Sequence, residues 1–294
     1  MKRIGLLARA DVNEAGHVLR DLVAWLHERG CEALVETRTA SLLEGGARPD
    51  AVLEGRSLGA EVEALVVLGG DGTLLAACHL LSRSDVPVVG VNFGSLGFLT
   101  EVTLGDLYAT LQGVLAGDYE YEQRRLLHGV VRRGELVLGE DHVLNDVVVA
   151  KASLSRMLEL DLSVDGRVVS AFRADGLIVA SPTGSTAYNL AAGGPFVHPT
   201  LAAMLLTPIC PHMLTHRPLV LSDSAQVEIR LRPDPDAEAN VTFDGQRGFP
   251  LEGSESVTVT RSPRTLRLVK VASRDYFEVL RTKLKWGEPT ARRR

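Results

Sequence analysis

An apolar run from Ala64 to Leu68 breaks off at Gly69-Gly70-Asp71-Gly72-Thr73, and an amphipathic stretch with helical spacing follows to about Leu81. A strand that ends in glycines where a helix begins points the helix's unpaired N–H groups at an approaching anion. The glycines also remove the Cβ atoms that would hold a phosphate off the main chain. The carboxylate in the middle narrows the options. Asp71 repels a phosphate unless a divalent cation lies between them or the carboxylate takes a proton from an attacking hydroxyl, and both roles belong to phosphoryl transfer. The plainer alternative is an Asp-Gly turn with Thr73 as the helix N-cap. Two glycines before and a Thr after, all at a strand end, favour the chemical reading. The usual nucleotide fingerprints are missing: there is no G-x-x-x-x-G-K-[ST], and Gly90, Gly94 and Gly97 do not space as G-x-G-x-x-G.

The neighbouring sequence predicts the scaffold for this turn. Ile4 to Ala8 reads as a strand, and Val18, Leu19, Leu22, Val23 and Leu26 fall on one helical face ended by Gly30. Strands follow at Ala33 to Val35, Ala64 to Leu68 and Val86 to Val91. This βαβ series implies an α/β N-terminal domain with a parallel sheet. The stretch from Ser41 to Leu58 has weak periodicity and supports no definite element. After a helix near Asp106 to Leu115 the pattern changes to short alternating runs: Leu126 to Arg132, Val137 to Gly139, Val143 to Ala150, Leu158 to Val164, Val168 to Phe172, Leu177 to Ala180, Leu219 to Leu221, Val227 to Leu231 and Val257 to Thr260. Asp165-Gly166 and Asp244-Gly245 are turn signals, because both residues of such a pair tolerate positive φ. The expected architecture is residues 1–105 as the α/β nucleotide-binding domain and 106–274 as a β-rich, sandwich-like domain. The tail 275–294 is expected to pack back on the first, and Pro233 to Ala239 to form an exposed acidic loop.

Composition excludes some partners. With 32 basic and 37 acidic residues the formal charge is −5, so the chain lacks the basic balance of a nucleic-acid binder, and any polyphosphate must be gripped locally. The Arg292-Arg293-Arg294 run has no aromatic interleaving and reads as a solvated tail. No apolar run approaches the roughly 18 residues of a membrane span. Three widely spaced cysteines, Cys31, Cys78 and Cys210, argue for free thiols and a cytoplasmic setting. His212 and His216 have H-x-x-x-H spacing but sit among prolines without a third ligand in register, so no protein-held metal site is expected.

Further motifs extend the pattern. Asn92-Phe93-Gly94-Ser95-Leu96-Gly97-Phe98-Leu99, Asn145-Asp146, and Asp175-Gly176-Leu177 leading into Ser181-Pro182-Thr183-Gly184-Ser185-Thr186-Ala187-Tyr188 occur in that order. On its residues alone Asn145-Asp146 is more often a turn than a ligand site, and Ser185 or Thr186 could cap a helix as well as bind. Together with Gly69 to Thr73, however, the series resembles that of the NAD kinases, from about Arg3 to Tyr276. The first motif alone is shared with lipid kinases and phosphofructokinase relatives; the later ones narrow it.

The resemblance implies transfer of a phosphoryl group from ATP, or polyphosphate, to the adenosine ribose 2′-hydroxyl of NAD, with Mg²⁺ accompanying the donor. It implies Asp71 as catalytic base, with Gly72 beside it at the nucleotide. It implies Asn145 and Asp146 on the ribose hydroxyls, and Thr186, Ala187, Tyr188, Asn189 and Ala191 lining the NAD site. Asp175 would lie near the nicotinamide, and Arg156, Arg173 and Gln246 at NAD-contacting positions, some reached from a neighbouring subunit of a homodimer or homotetramer. On the residues alone, isolated arginines such as Arg156 and Arg173 are as readily strand-surface charges. A lipid kinase would need a basic amphipathic segment, which is not seen, and a non-catalytic NAD sensor would be expected to have lost Asp71 or its glycines.

Overall fold

The computed structural model describes residues 1–9, 14–43, 46–94, 97–152, 156–232, 238–271 and 276–285. Ser95 and Leu96, most of the expected acidic loop (233–237) and the Arg292–Arg294 run lie outside the described residues. The chain divides into two compact units, Met1–Glu122 with Leu266–Arg294, and Gln123–Thr265.

The first unit runs β1 (Arg3–Ala8), α1 (Ala15–His27), β2 (Glu32–Glu36), α2 (Thr37–Ala40), β3 (Ala51–Leu53), α3 (Gly55–Glu61), β4 (Ala64–Leu68), α4 (Asp71–Cys78), β5 (Pro87–Asn92), β6 (Val102–Thr103) and α5 (Leu107–Ala116). β3, β2, β1, β4 and β5 lie side by side in that order, all parallel, and β6 is added to β5. β4 and β5 are buried at every position, which is why they read as unbroken apolar runs rather than alternating ones. α1 contributes Ala15, Leu19, Leu22, Val23 and Leu26, spaced to form one stripe, to a core shared with Ile4, Leu6, Val66 and Leu68.

From β1 the chain builds outward through β2 and β3, then returns to place β4 on the other flank of β1. That reversal makes a topological switch point, where ligands of open parallel sheets bind at the carboxyl ends of the strands. Asp71 follows the carboxyl end of β4.

Two local expectations are corrected here. The stretch from Ser41 to Leu58, whose weak periodicity does not support one element along all of it, holds a 3₁₀ turn at Ser41–Leu43, the strand β3 and the start of α3. β3 has three residues and Val52 is half exposed, so too few positions are buried to create a period. The helix expected from Thr73 to Leu81 instead spans Asp71–Cys78, and its N-cap is Gly70, so the reading of Thr73 as cap does not hold.

The second unit is antiparallel. It contains β7 (Tyr121–Arg133), β8 (Leu136–Val143), β9 (Asp146–Lys151), β10 (Leu158–Val164), β11 (Arg167–Ala174), β12 (Gly176–Ala180), α6 (Tyr188–Ala191), β13 (Ala203–Ile209), β14 (Leu219–Ser222), β15 (Val227–Leu231), β16 (Ala239–Phe243), β17 (Arg247–Leu251) and most of β18 (Ser256–Val269). The last residues of β18 pair in parallel with β5 of the first unit's sheet, and α7 (Tyr276–Leu284) also belongs to that unit, with Val279 and Leu280 buried.

One sheet of the second unit is ordered β14-β13-β12-β9-β16-β17; another carries β11-β10-β15-β18. Val147, Val149, Leu177, Val179 and Phe243 from the first share one core with Leu158, Leu160, Phe172, Ile229 and Val257 from the second. Two sheets with their inner faces in a common core make a sandwich. Asp165-Gly166 forms the β10–β11 hairpin turn with φ of 50° and 73°, and Asp244-Gly245, at 50° and 63°, turns β16 into β17. β13, β16 and β17 were not anticipated. β13 is buried at six of seven positions and contains Pro208, so it shows neither alternation nor a clean strand composition.

Candidate functional site

In the first unit the site is built around Asp71, in the opening turn of α4, where the helix dipole favours a negative charge. Gly70 and Gly72 face open space in the direction a Cβ would take: among the described residues no atom beyond the adjoining chain lies within 4 Å of either position. Gly69 has a different reason to be glycine: a Cβ there would overlap the Thr73 side chain. The carboxylate is held from the segment between β5 and β6. Phe98 N donates to Oδ2 at 2.9 Å, and Leu99 N and Thr100 N donate to Oδ1 at 3.0 and 3.2 Å, joined by Thr100 Oγ1 at 3.1 Å. A Cβ on Gly97 would overlap both Asp71 Oδ1 and Thr100 Oγ1. Asn92 Nδ2 donates to the carbonyls of Thr100 (2.8 Å) and Val102 (3.3 Å). The described part of the Asn92 to Leu99 motif is thus a clamp on Asp71.

In the second unit Asn145 and Asp146 sit where β9 begins, and both are buried. Three consecutive amides, Leu144 N, Asn145 N and Asp146 N, donate to the Asp244 carboxylate at 2.8, 2.7 and 3.0 Å. Burial, with the Asp244 charge beside it, pushes the Asp146 carboxyl up from 3.8 to about 7. Asp244 is the site residue that sequence reasoning missed: its Asp-Gly signal announced the turn but not what the carboxylate grips.

The loop after β12 closes on the same corner. Ser181 N donates to Asn145 O at 2.8 Å, Ser181 Oγ donates to Leu144 O, and Gly184 lies so near the Asn145 backbone that a Cβ would overlap it. Thr183–Thr186 forms a 3₁₀ turn and Tyr188–Ala191 a single helical turn whose N-cap is Ala187, so neither Ser185 nor Thr186 caps it. Ser185 Oγ instead bridges to both N and O of Val197 at 3.1 Å.

The remaining expected site residues divide by environment. Thr186 and Ala187 are half-buried, Tyr188 and Ala191 are exposed, and Gln246 is exposed on the Asp244 turn. Asn189 is fully buried: its amide donates to Ser185 O and Pro195 O, and its oxygen accepts from Thr207 Oγ1 at 2.7 Å. It holds the loop from inside. Asp175 lies at the opposite end of β12 from Ser181, about 20 Å away over six residue rises, ion-paired with Lys151 at 2.9 Å. Arg173 is exposed and pairs with Glu159 at 3.4 Å, and Arg156 is exposed. His216 packs against Phe172 in the wall of a cavity of about 230 Å³. Among the described residues no cluster of three or more His, Cys, Asp or Glu could hold a metal, and no helix is long and apolar enough to cross a membrane.

Comparison with known proteins places the chain in a family. Residues 4–119 match the model of the ATP-NAD kinase N-terminal domain, and 144–271 that of the ATP-NAD kinase C-terminal domain. NAD kinases of Citrifermentans bemidjiense and Syntrophotalea carbinolica are each 46% identical to this chain, over 288 and 290 residues, covering 98% of it and 100% of the relative. The crystal structure of an NAD kinase from Archaeoglobus fulgidus in complex with ATP superposes with a TM-score of 0.73 at 27% identity, covering 96% of this chain and 98% of that one. Yeast NADH kinase complexed with NADH shares the fold, with a TM-score of 0.88 at 23% identity over 98% of this chain and 89% of its own. With both domain models matched in order and full-length relatives well above 30% identity, the chain belongs to the NAD kinase family.

Proposed function

We propose that this chain transfers the terminal phosphoryl group of ATP to the adenosine ribose 2′-hydroxyl of NAD, with Asp71 as the base. The observation that carries the role of Asp71 is its hydrogen bonding: a carboxylate at a phosphate-compatible helix start, fixed by four donors, flanked by Gly70 and Gly72, whose Cβ positions meet no described atom beyond the adjoining chain within 4 Å. The ribose O–H bond breaks with the proton passing to Asp71, O2′ bonds to the γ-phosphorus, and the bond from that phosphorus to the bridging oxygen breaks to release ADP. Most of the rate enhancement comes from positioning and charge neutralisation.

Asn145 and Asp146 hold the ribose hydroxyls. One amide and one carboxyl offer donors and acceptors together, and a carboxyl that titrates near 7 supplies either at neutral pH. Thr186, Ala187, Tyr188 and Ala191 line the dinucleotide site on the adenine side, and Asn189 keeps that loop in shape. Asp175 serves the nicotinamide end, and the length of β12 between it and Ser181 suits an extended dinucleotide. Arg156, Arg173 and Gln246 are exposed and contact NAD, from this chain or a neighbouring copy. Mg²⁺ accompanying ATP would offset the charge of its phosphates; a cation bound mainly through phosphates would need few protein carboxylates.

The working form is a homodimer or homotetramer in the cytoplasm. Supporting assembly, the edge strands β11 and β14 expose Val168, Val169, Leu219 and Val220, which is unfavourable for a lone subunit. Supporting the compartment, none of Cys31, Cys78 and Cys210 is joined in a disulfide. The test is a coupled assay for NADP from NAD, Mg²⁺ and ATP, with polyphosphate as a parallel donor, on wild type and Asp71→Asn. The variant should bind NAD nearly as well and turn over slower by orders of magnitude; retained turnover removes Asp71 as the base.

A further inference from the structure

Proton transfer to Asp71 requires one carboxylate oxygen to be available, and the two oxygens are not equivalent. Oδ1 accepts three donors, Leu99 N, Thr100 N and Thr100 Oγ1, against the two lone pairs of a carboxylate oxygen. Among the described residues Oδ2 accepts only Phe98 N, which leaves it one acceptor direction. We propose that Thr100 is a positioning residue whose hydroxyl turns the Asp71 carboxylate so that Oδ2, and not Oδ1, receives the proton of the ribose hydroxyl.

Any residue but proline at positions 98 to 100 would supply the backbone donors. The hydroxyl is the only side-chain donor among the four, so it alone depends on what stands at position 100. Its placement is firm. Thr100 is fully buried, and its carbonyl accepts Asn92 Nδ2 at 2.8 Å and Gly97 N at 3.3 Å, which fixes the peptide that carries the hydroxyl. Asn92 is itself buried. A carboxylate gripped at one oxygen by three donors has little freedom about χ2; with the hydroxyl removed it can rock, and the oxygen facing substrate is in place for a smaller fraction of encounters.

The inference rests on Asp71 as the base, and the experiment separates the two. Steady-state NADP formation is measured for wild type, Thr100→Val, Thr100→Ser and Asp71→Asn, with NAD binding followed by calorimetry and folding by thermal unfolding. Thr100→Val should lower kcat about tenfold, the size of a lost hydrogen bond to a charged group, while KM for NAD and for ATP stays within about twofold. Thr100→Ser should restore kcat to within about twofold of wild type. If Thr100→Val does not fold, Thr100→Ala carries the same expectation. Unchanged kcat in Thr100→Val, a loss confined to KM, or absence of rescue by Ser would overturn the positioning role while an inactive Asp71→Asn leaves the base in place. Active Asp71→Asn would overturn the base itself, and the inference with it.

Discussion

The Asp244 carboxylate accepts the backbone amide of Asn145 at 2.7 Å, joining two residues 99 positions apart in sequence. The same carboxylate takes the amides of Leu144 and Asp146, so one side chain from the β16–β17 turn shapes the start of β9, where two proposed NAD ligands stand. Burying three N–H groups without acceptors costs about 1–3 kcal/mol for each that water cannot reach.

Asp244→Ala should therefore destabilise the protein by about 3 kcal/mol in urea titration and raise KM for NAD at least about tenfold. Asp244→Asn, which keeps one acceptor oxygen, should fall between the variant and wild type. A normal KM in Asp244→Ala would mean that the strand pairing alone holds this corner.

Asp146 ionises near 3.8 when unfolded and near 7 in the folded chain, where burial first and the neighbouring Asp244 second disfavour its charge. Its contribution is complete below about pH 4. Between about pH 4 and 7 the unfolded chain has lost this proton and the native one retains it, so stability falls as pH rises through that window. Replacing the carboxyl removes the effect. Asp146→Asn should match wild type near pH 4 and exceed it by on the order of a few kcal/mol at pH 8. Chemical denaturation at pH 4.5, 6 and 8 tests this, and a difference that does not change with pH would refute it.

Gly97 has no room for a methyl group, because a Cβ would overlap Asp71 Oδ1 and Thr100 Oγ1. Gly97→Ala must displace the carboxylate, and a displacement of about 1 Å at a reacting group lowers turnover roughly 100-fold. NAD binding and circular dichroism should change little. Full activity in this variant would show that the clamp on Asp71 is not needed.

Phe243 is fully buried in the sandwich core, its ring edge-on to Phe249 at 5.8 Å, one residue before the Asp244 turn. Phe243→Ala should cost about 3–5 kcal/mol, seen as a lower urea midpoint with an unchanged slope. An effect under about 1 kcal/mol would mean that Gly129 and Val147, which border the ring, close the space.

Most of the strands were legible because their signals are local. Leu158–Val164 and Val227–Leu231 alternate cleanly, and the Asp165-Gly166 turn needs only the φ preferences of two residues. β3 and β13 were not. One is a short, half-exposed edge, and the other is buried along nearly its whole length, so neither carries a period of two. Within the site, the Gly69 to Thr73 turn declared itself through glycines at a strand end. Asn189 looked like a group facing a ligand, because nothing in the sequence reveals that Thr207, Ser185 and Pro195 use up its amide.

The sequence by itself determined most of the elements, where the phosphate-compatible turn lies and which family the motifs resemble, since helix period, strand alternation and glycine placement act over a few residues. Only the tertiary structure decided that Phe98, Leu99 and Thr100 clamp Asp71 and that Asp244 holds Asn145 and Asp146. Those contacts join residues about 30 and about 100 positions apart. They exist through the register of β4 on β5 and of β9 on β16, and that register is set by which faces the two cores bury.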